Sequence, residues 1–235
     1  MDHQRHGADV SSNQQVLLAG SGDPYAGNVI LLLRGEGANG GTTFTDSGPL
    51  NLTLTASGGS FTTSTTQAKF GTSSIKGVGG TGYLRYTNTA ATELTGNFTI
   101  EGWSYWTGVV VGNQETISFE ITSGGALQSL LSGTPANRLL RYWDGTAYAI
   151  LGTGITNDAW FHWALTRSGT TITLWQSGAS KGTVTSSATI GVSGLLTYIG
   201  SYGNGSETLN GYVDNIRITK GVARYTSAFT PPGDF

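Results

Sequence analysis

The 235-residue sequence contains no cysteine and a single methionine. Disulfides, thiolate metal sites and a cysteine nucleophile are therefore excluded. Charge is equally scarce. Asp, Glu, Lys and Arg make up 11% of the chain, and the net charge is −2; an average protein carries about 25% charged residues. That leaves no basic surface for nucleic acid. The longest apolar run, VILLL at residues 29–33, is far too short to span a bilayer. Runs of strong helix formers are missing as well, which rules out a helical bundle. The opening residues MDHQRHGADVSSNQQ are polar and lack the apolar stretch of a signal peptide.

In place of these the chain has 37 glycines, abundant Thr and Ser, six Trp, ten Tyr and eight Phe. An apolar content of 37% is enough for a real core. Residues 1–27 show almost no period and read as an extended arm, which needs a neighbour to pack on. From residue 28 onward short strands alternate with Gly, Asn, Asp and Ser turns. Strands are expected at 29–34, 50–56, 73–76, 82–86 and 97–106. Hairpins follow at 115–131, 138–151 across DGT, and 160–176 across SGT. Further strands fall at 181–185, 196–200 and 208–219, with a single helical turn at 220–225. Strands this dense, with no helices between them, predict an all-β, two-sheet antiparallel jelly-roll sandwich over residues 28–235.

Several segments carry a family resemblance: NVILLLRGEGANGGTTFTDSG at 28–48, AKFGTSSIKGVGGTGYLRY at 68–86, GNFTIEGWSYW at 96–106, WFHWALTRSGTTITLWQSG at 160–178 and LNGYVDNIRITKGVARYTSAFTPP at 209–232. Together they resemble the concanavalin A-like, laminin G-like jelly-roll superfamily. The tail ITKGVARYTSAFTPP looks most like the version found in tailed-phage virion proteins. The resemblance implies the fold and a broad class, whereas the ligand has to be argued from the site. Family members often carry acidic residues in the turn that is Gly-rich here at 77–82, and often Asp-Gly where this chain has Ser177 and Gly178.

The acidic residues give little for catalysis. Glycoside hydrolysis needs two carboxylates about 5–9.5 Å apart. Glu115 and Glu120, five apart, fall on opposite faces of a regular strand, and Glu101 has no acidic neighbour two or four residues away. No catalytic residue is assigned, and a hydrolase is the remote alternative. No metal site or cofactor is assigned either. Calcium wants 6–8 oxygens and clustered acids, so only Asp46 and Asp214 are places to look. Asp214 shares a face with Tyr212, Ile216 and Ile218 in a regular strand, and an inward carboxylate must find hydrogen bonds. His162 reads as a core histidine bonded to backbone or a carboxylate; His3 and His6 lie in the arm.

The aromatic residues matter more. Trp103, Trp160, Trp163 and Trp175 fall in strands and are expected to pack the sandwich. Trp143 and Tyr148 bracket the Asp144–Gly145 turn, and Tyr202 sits in a Gly/Ser/Asn loop. Flat rings can stack on sugar faces while polar loop groups hydrogen-bond. Trp143, Asp144, Tyr148, Tyr202 and Asn204 are therefore the candidate glycan-binding set, the alternative being aromatics that cover a sheet end or fill an interface. The expected function is a non-catalytic structural protein on a phage virion surface, as a capsid decoration or tail-associated protein assembled in the host cytoplasm. Its partners would be other virion proteins, met through the arm, and copies of itself. The alternative is an adhesin on a tail fibre or head that holds cell-surface or environmental glycans. Neither reading involves nucleic acid or membrane.

Overall fold

A computed structural model of the chain describes residues 22–107, 113–121, 127–132, 139–144 and 147–235. A short 3-10 turn, Ala26–Asn28, leads into β1 (Val29–Leu33), β2 (Thr55–Ser57), β3 (Phe61–Ser64), β4 (Ser74–Val78) and β5 (Tyr83–Thr87). Then come β6 (Phe98–Trp106), β7 (Gln114–Glu120), β8 (Leu127–Ser132), β9 (Leu139–Trp143) and β10 (Tyr148–Thr153). The last are β11 (Trp160–Ser168), β12 (Thr171–Gln176), β13 (Ala179–Thr185), β14 (Leu196–Ile199) and β15 (Asn210–Lys220).

The strands form two antiparallel sheets. The larger has eight strands in the order β13-β12-β11-β6-β15-β4-β3, with β1 also pairing with β15; the smaller has seven in the order β10-β9-β8-β7-β14-β5-β2. This is the expected jelly-roll sandwich, and strand alternation explains how it fills. In β6, Phe98, Ile100 and Trp106 join the core between the sheets, while Thr99, Glu101 and Trp103 alternate to the other side. Phe161, Trp163 and Leu165 of β11 meet them, as do Ile117 and Phe119 of β7 and Leu140 and Tyr142 of β9. Gly102 makes one close approach possible: a Cβ there would lie 2.8 Å from Trp163 Cζ2.

Both faces of the central strands β6, β11 and β15 of the larger sheet are buried. Residues 221–235 form a strap across its outward side, where Tyr225 and Phe229 stack with centroids 3.5 Å apart, and Phe229 meets His162 and Trp175 edge-on. The tryptophans therefore divide. Trp106 and Trp163 lie in the core between the sheets, but Trp103 and Trp175 are buried on the outward face, outside that core.

Four local expectations are corrected. Residues 50–54 are not a continuous strand, because Asn51 takes φ +46 and the Asp46 carboxylate captures the Leu52 N–H at 2.7 Å; Thr53 makes an isolated bridge to Thr45, and only Thr55–Ser57 pairs as a strand. A strand at Phe61–Ser64 escaped the sequence reading because its FTTS has one large apolar residue. Residues 220–225 form no helical turn. There Thr99 Oγ1 donates to the Val222 carbonyl and accepts the Arg224 N–H, taking groups a helix would use. Finally, a bulge at Asn215, with φ +47, breaks the alternation of β15. Ile216 and Ile218 face the core, and Asp214 faces outward with Tyr212 and Arg217.

Of the expected arm, residues 1–21, with His3 and His6, lie outside the described residues. Its described end carries Asp23, which is held by Arg224 and Arg217.

Candidate functional site

The outward face of the smaller sheet gathers the candidate residues. One transverse row is fixed by strand register: Tyr148 opposite Trp143, Trp143 opposite Ser129, Ser129 opposite Ser118, Ser118 opposite Tyr198, and Tyr198 opposite Arg85. Trp143 follows the core residue Tyr142, so it projects away from the core.

At one end, Trp143 and Tyr148 form an edge-to-face pair with centroids 4.8 Å apart, and the Arg141 guanidinium lies 4.1 Å from the Tyr148 ring centre. Tyr148 keeps 39% of its surface exposed. Asp144 closes the hairpin below them. Its N–H donates to the Ala147 carbonyl, and its carboxylate accepts the Ala147 N–H at 2.9 Å. Asp144 thus ties together the ends of β9 and β10 that present the two rings.

At the other end, the loop after β14 folds over β7 and β14. Ser118 Oγ donates to the Ser201 carbonyl at 2.9 Å, and Tyr202 and Ser206 exchange backbone bonds that tighten the loop. Asn204 is exposed at its tip. Its Oδ1 accepts from Arg85 Nη1 at 2.9 Å and lies 3.1 Å from the Tyr198 hydroxyl. That hydroxyl is also 3.1 Å from Glu120 Oε1. Burial pushes the Tyr198 phenol up, with Glu120 adding to the shift against the pull of Arg85. It therefore stays protonated at neutral pH, a fixed donor beneath the loop. Arg85 stacks 4.3 Å from the Tyr83 ring centre.

The sequence-predicted set is thus brought to one face but in two groups: Trp143, Asp144 and Tyr148 on the β9–β10 hairpin, and Tyr202 and Asn204 on the loop. Trp143 and Ser118, where the loop is anchored, flank β8 on either side. Two strand spacings separate them, about 10 Å. Arg85, Tyr83, Tyr198 and Arg141 were missed. For Tyr83, Arg85 and Arg141 the signal was the alternation in YLRYT and LLRYW, which places an arginine and an aromatic on neighbouring outward positions.

The acidic residues are placed differently from expectation. A bulge between Glu115 and Ile117 adds a residue to β7, so Glu115 lies on the same face as Ser118 and Glu120. Four strand steps still separate the two acids, about 14 Å of backbone. Asp46 is an anchor: its carboxylate accepts N–H groups from Leu32 and Gly48 at 2.8 Å and from Leu52 at 2.7 Å. Asp214 accepts the Lys69 and Phe70 N–H groups at 2.8 and 3.1 Å. His162 pairs with Glu101 at 3.3 Å, both fully buried under the strap, in line with a histidine bonded to a carboxylate. Among the described residues no three His, Asp or Glu side chains cluster to hold a metal ion, and no helix is long and apolar enough to cross a membrane.

A family model described as the concanavalin A-like lectin/glucanases superfamily matches residues 78–224, more than half of the sequence, and the chain belongs to that superfamily. No curated protein matches it. Among solved structures it is similar to domain 4 of AbnA, a GH43 extracellular arabinanase from Geobacillus stearothermophilus, solved with arabinotriose (TM-score 0.57, 16% identity, 75% of this chain and 86% of that one). It is also similar to the binding domain of Paraclostridial Mosquitocidal Protein 1 (0.59, 13%, 88% and 50%). A third is Trypanosoma rangeli sialidase in complex with a difluoro-KDN ligand (0.59, 14%, 82% and 30%). The chain thus spans half of the toxin structure and less than a third of the sialidase. At these identities the likeness is one of fold.

Proposed function

We propose that the chain is a non-catalytic glycan-binding module carried on the surface of a phage particle. The observation that supports binding is the pairing of an exposed aromatic edge, Trp143 with Tyr148, with a polar loop on the same face, anchored at Ser118 about 10 Å away across β8 and bearing Asn204 over Tyr198, three strand spacings or about 14 Å from Trp143. Rings at one side offer stacking surfaces, and amide and guanidinium groups at the other offer hydrogen bonds. Domain 4 of the arabinanase, solved with arabinotriose, shows the same fold in a carbohydrate complex. The Glu120 carboxylate is held by the Leu196 N–H and the Tyr198 hydroxyl, a structural engagement that favours holding sugar over cutting it.

The phage setting is supported by the tail ITKGVARYTSAFTPP and its likeness to tailed-phage virion proteins. A surface with few charges suits close contact between copies, and many copies would raise the avidity of a weak site.

A glycan array with the intact chain tests the binding reading. Signal on a defined set of oligosaccharides should vanish with Trp143→Ala while the melting temperature holds. No signal on any glycan, or signal untouched by Trp143→Ala, overturns it. Release of reducing ends from a bound glycan overturns the non-catalytic reading. The virion reading requires that antibody against the chain decorate intact particles, and that a chain lacking residues 1–27 fold but not join them.

A further inference from the structure

We propose that a cavity around Arg34, on the outward side of the larger sheet, binds a carboxylate carried on an apolar body. The cavity measures about 370 Å³, within the range of small-ligand pockets. Its walls include Ala26, Val29, Leu32, Pro49 and Phe235, and its charged lining residues are Arg34, Arg217 and Asp23. It lies on the face opposite to the aromatic row of the smaller sheet, and it does not depend on the glycan reading.

The polar groups point to the ligand. Among the described residues every other arginine has an acceptor. Arg85 donates to Asn204, Arg141 to Asn113, and Arg167 to three backbone carbonyls. Arg217 donates to Glu101, and Arg224 holds Asp23. Arg34 alone has none, and its Nε is buried without a partner. Such a guanidinium nitrogen is costly to leave unmade.

Neighbouring acids do not serve it. Asp23 is held by Arg224 and Arg217, Glu36 by the Thr72 hydroxyl and N–H, and Asp46 by three backbone N–H groups. Arg217 and Arg224 are engaged with the carboxylates of Asp23 and Glu101, and no acid among the described residues pairs with Arg34. A guanidinium fork matches a carboxylate in a planar, two-bonded fashion. The aliphatic walls and the Phe235 ring supply the surface for an apolar body. Arg217 already covers the Phe235 ring, its guanidinium carbon 3.7 Å from the ring centre, and so fixes that wall.

Benzoate is the probe, followed by NMR shifts of the full chain. Benzoate should bind saturably and shift resonances of residues 29–34 and 47–49. Benzamide, its neutral match, and sulfate, an anion with no apolar body, should not. Arg34→Gln should weaken benzoate by about tenfold or more, the loss expected when a charge-assisted hydrogen bond is removed. Equal binding of benzamide shows that charge plays no part, and sulfate binding as well as benzoate shows an unselective anion site. Either result, or no benzoate binding, overturns the proposal. These comparisons on the unaltered chain decide the matter even if Arg34→Gln fails to fold.

Discussion

The Arg224 guanidinium donates to both carboxylate oxygens of Asp23 at 2.7 Å, binding the segment that leads into the sandwich to the strap that leaves it. Arg217 bridges from Asp23 to Glu101, and Tyr225 donates its hydroxyl to Glu101 at 2.7 Å. Burial alone would raise the Glu101 carboxyl, but His162, Arg217 and Tyr225 together hold it below the usual range. Asp23 is held low mainly by Arg224.

Glu101 is therefore the centre of a buried network whose loss leaves Arg217 with only the part-exposed Asp23 as a partner. Glu101→Gln should destabilise the chain by about 3–5 kcal/mol in urea denaturation, the range for one partner removed from a buried pair. Asp23, whose side chain is 26% exposed, should cost about 1 kcal/mol or less as Asp23→Asn, because water screens part of its field. Equal costs for the two would mean that burial does not rank them.

Asp214 gives a pH dependence of opposite sign. Burial, the largest influence, lifts its carboxyl to about 7 against the backbone N–H groups of Phe70 and Lys69 that favour the ionised form. The folded chain then holds this proton more tightly than the unfolded chain does. The resulting stabilisation is complete below about pH 4 and is lost as pH rises through about 7. Glu101 and Asp23 behave in reverse: their stabilisation is present above about pH 4–4.5 and is lost as pH falls through their lowered folded values. In Asp214→Asn the melting temperature should lose its decline between pH 4 and 7 and keep the acid limb. An unchanged decline would assign it to another group.

Much of this was legible from alternation and turn chemistry. YWDGTAY reads as a hairpin, WFHWALTR as a long strand, and His162 as a core histidine bonded to backbone or a carboxylate follows from its place among apolar neighbours. The two misplaced acids share one physical origin, the single extra residue of a bulge. Asn215 turns Asp214 away from Ile216, and the bulge after Glu115 turns that acid toward the face of Glu120. A two-residue period cannot register such a step, because every residue beyond it changes face. The strap was also hidden. Its aromatic residues fall at irregular spacing and act by covering the outward face of a sheet, so Trp103 and Trp175 looked like core residues between sheets.

Gly102 reports on the core itself. A methyl group there meets Trp163 Cζ2 at 2.8 Å and Ile216 Cγ1 at 3.2 Å. Trp163 is fully buried, with its indole N–H donating to Ser104 Oγ at 2.9 Å, and so cannot withdraw. Gly102→Ala should cost about 1–3 kcal/mol by overpacking, read as a lower urea midpoint with unchanged slope. A neutral result would show that β6 and β11 can separate at this point.

The strap can be loosened without removing a charged group. Phe229 packs on Trp175 at 5.5 Å and on His162 at 5.7 Å between centroids, and its N–H donates to the Gly178 carbonyl at 3.1 Å. Gly178 sits at φ +82, where a Cβ would clash with the Phe229 carbonyl. Phe229 is only partly buried, so Phe229→Ala should cost about 1–2 kcal/mol, below the value for a fully buried ring. Trp175 should then become accessible to acrylamide, with a red-shifted emission. Gly178→Ala should give the same spectral change by a different route, lifting the strap from its seat while both rings remain. If Phe229→Ala quenches Trp175 and Gly178→Ala does not, the aromatic stack alone holds the strap and the backbone bond is incidental. If neither variant alters Trp175, residues 221–235 are not what shields the outward face of the larger sheet.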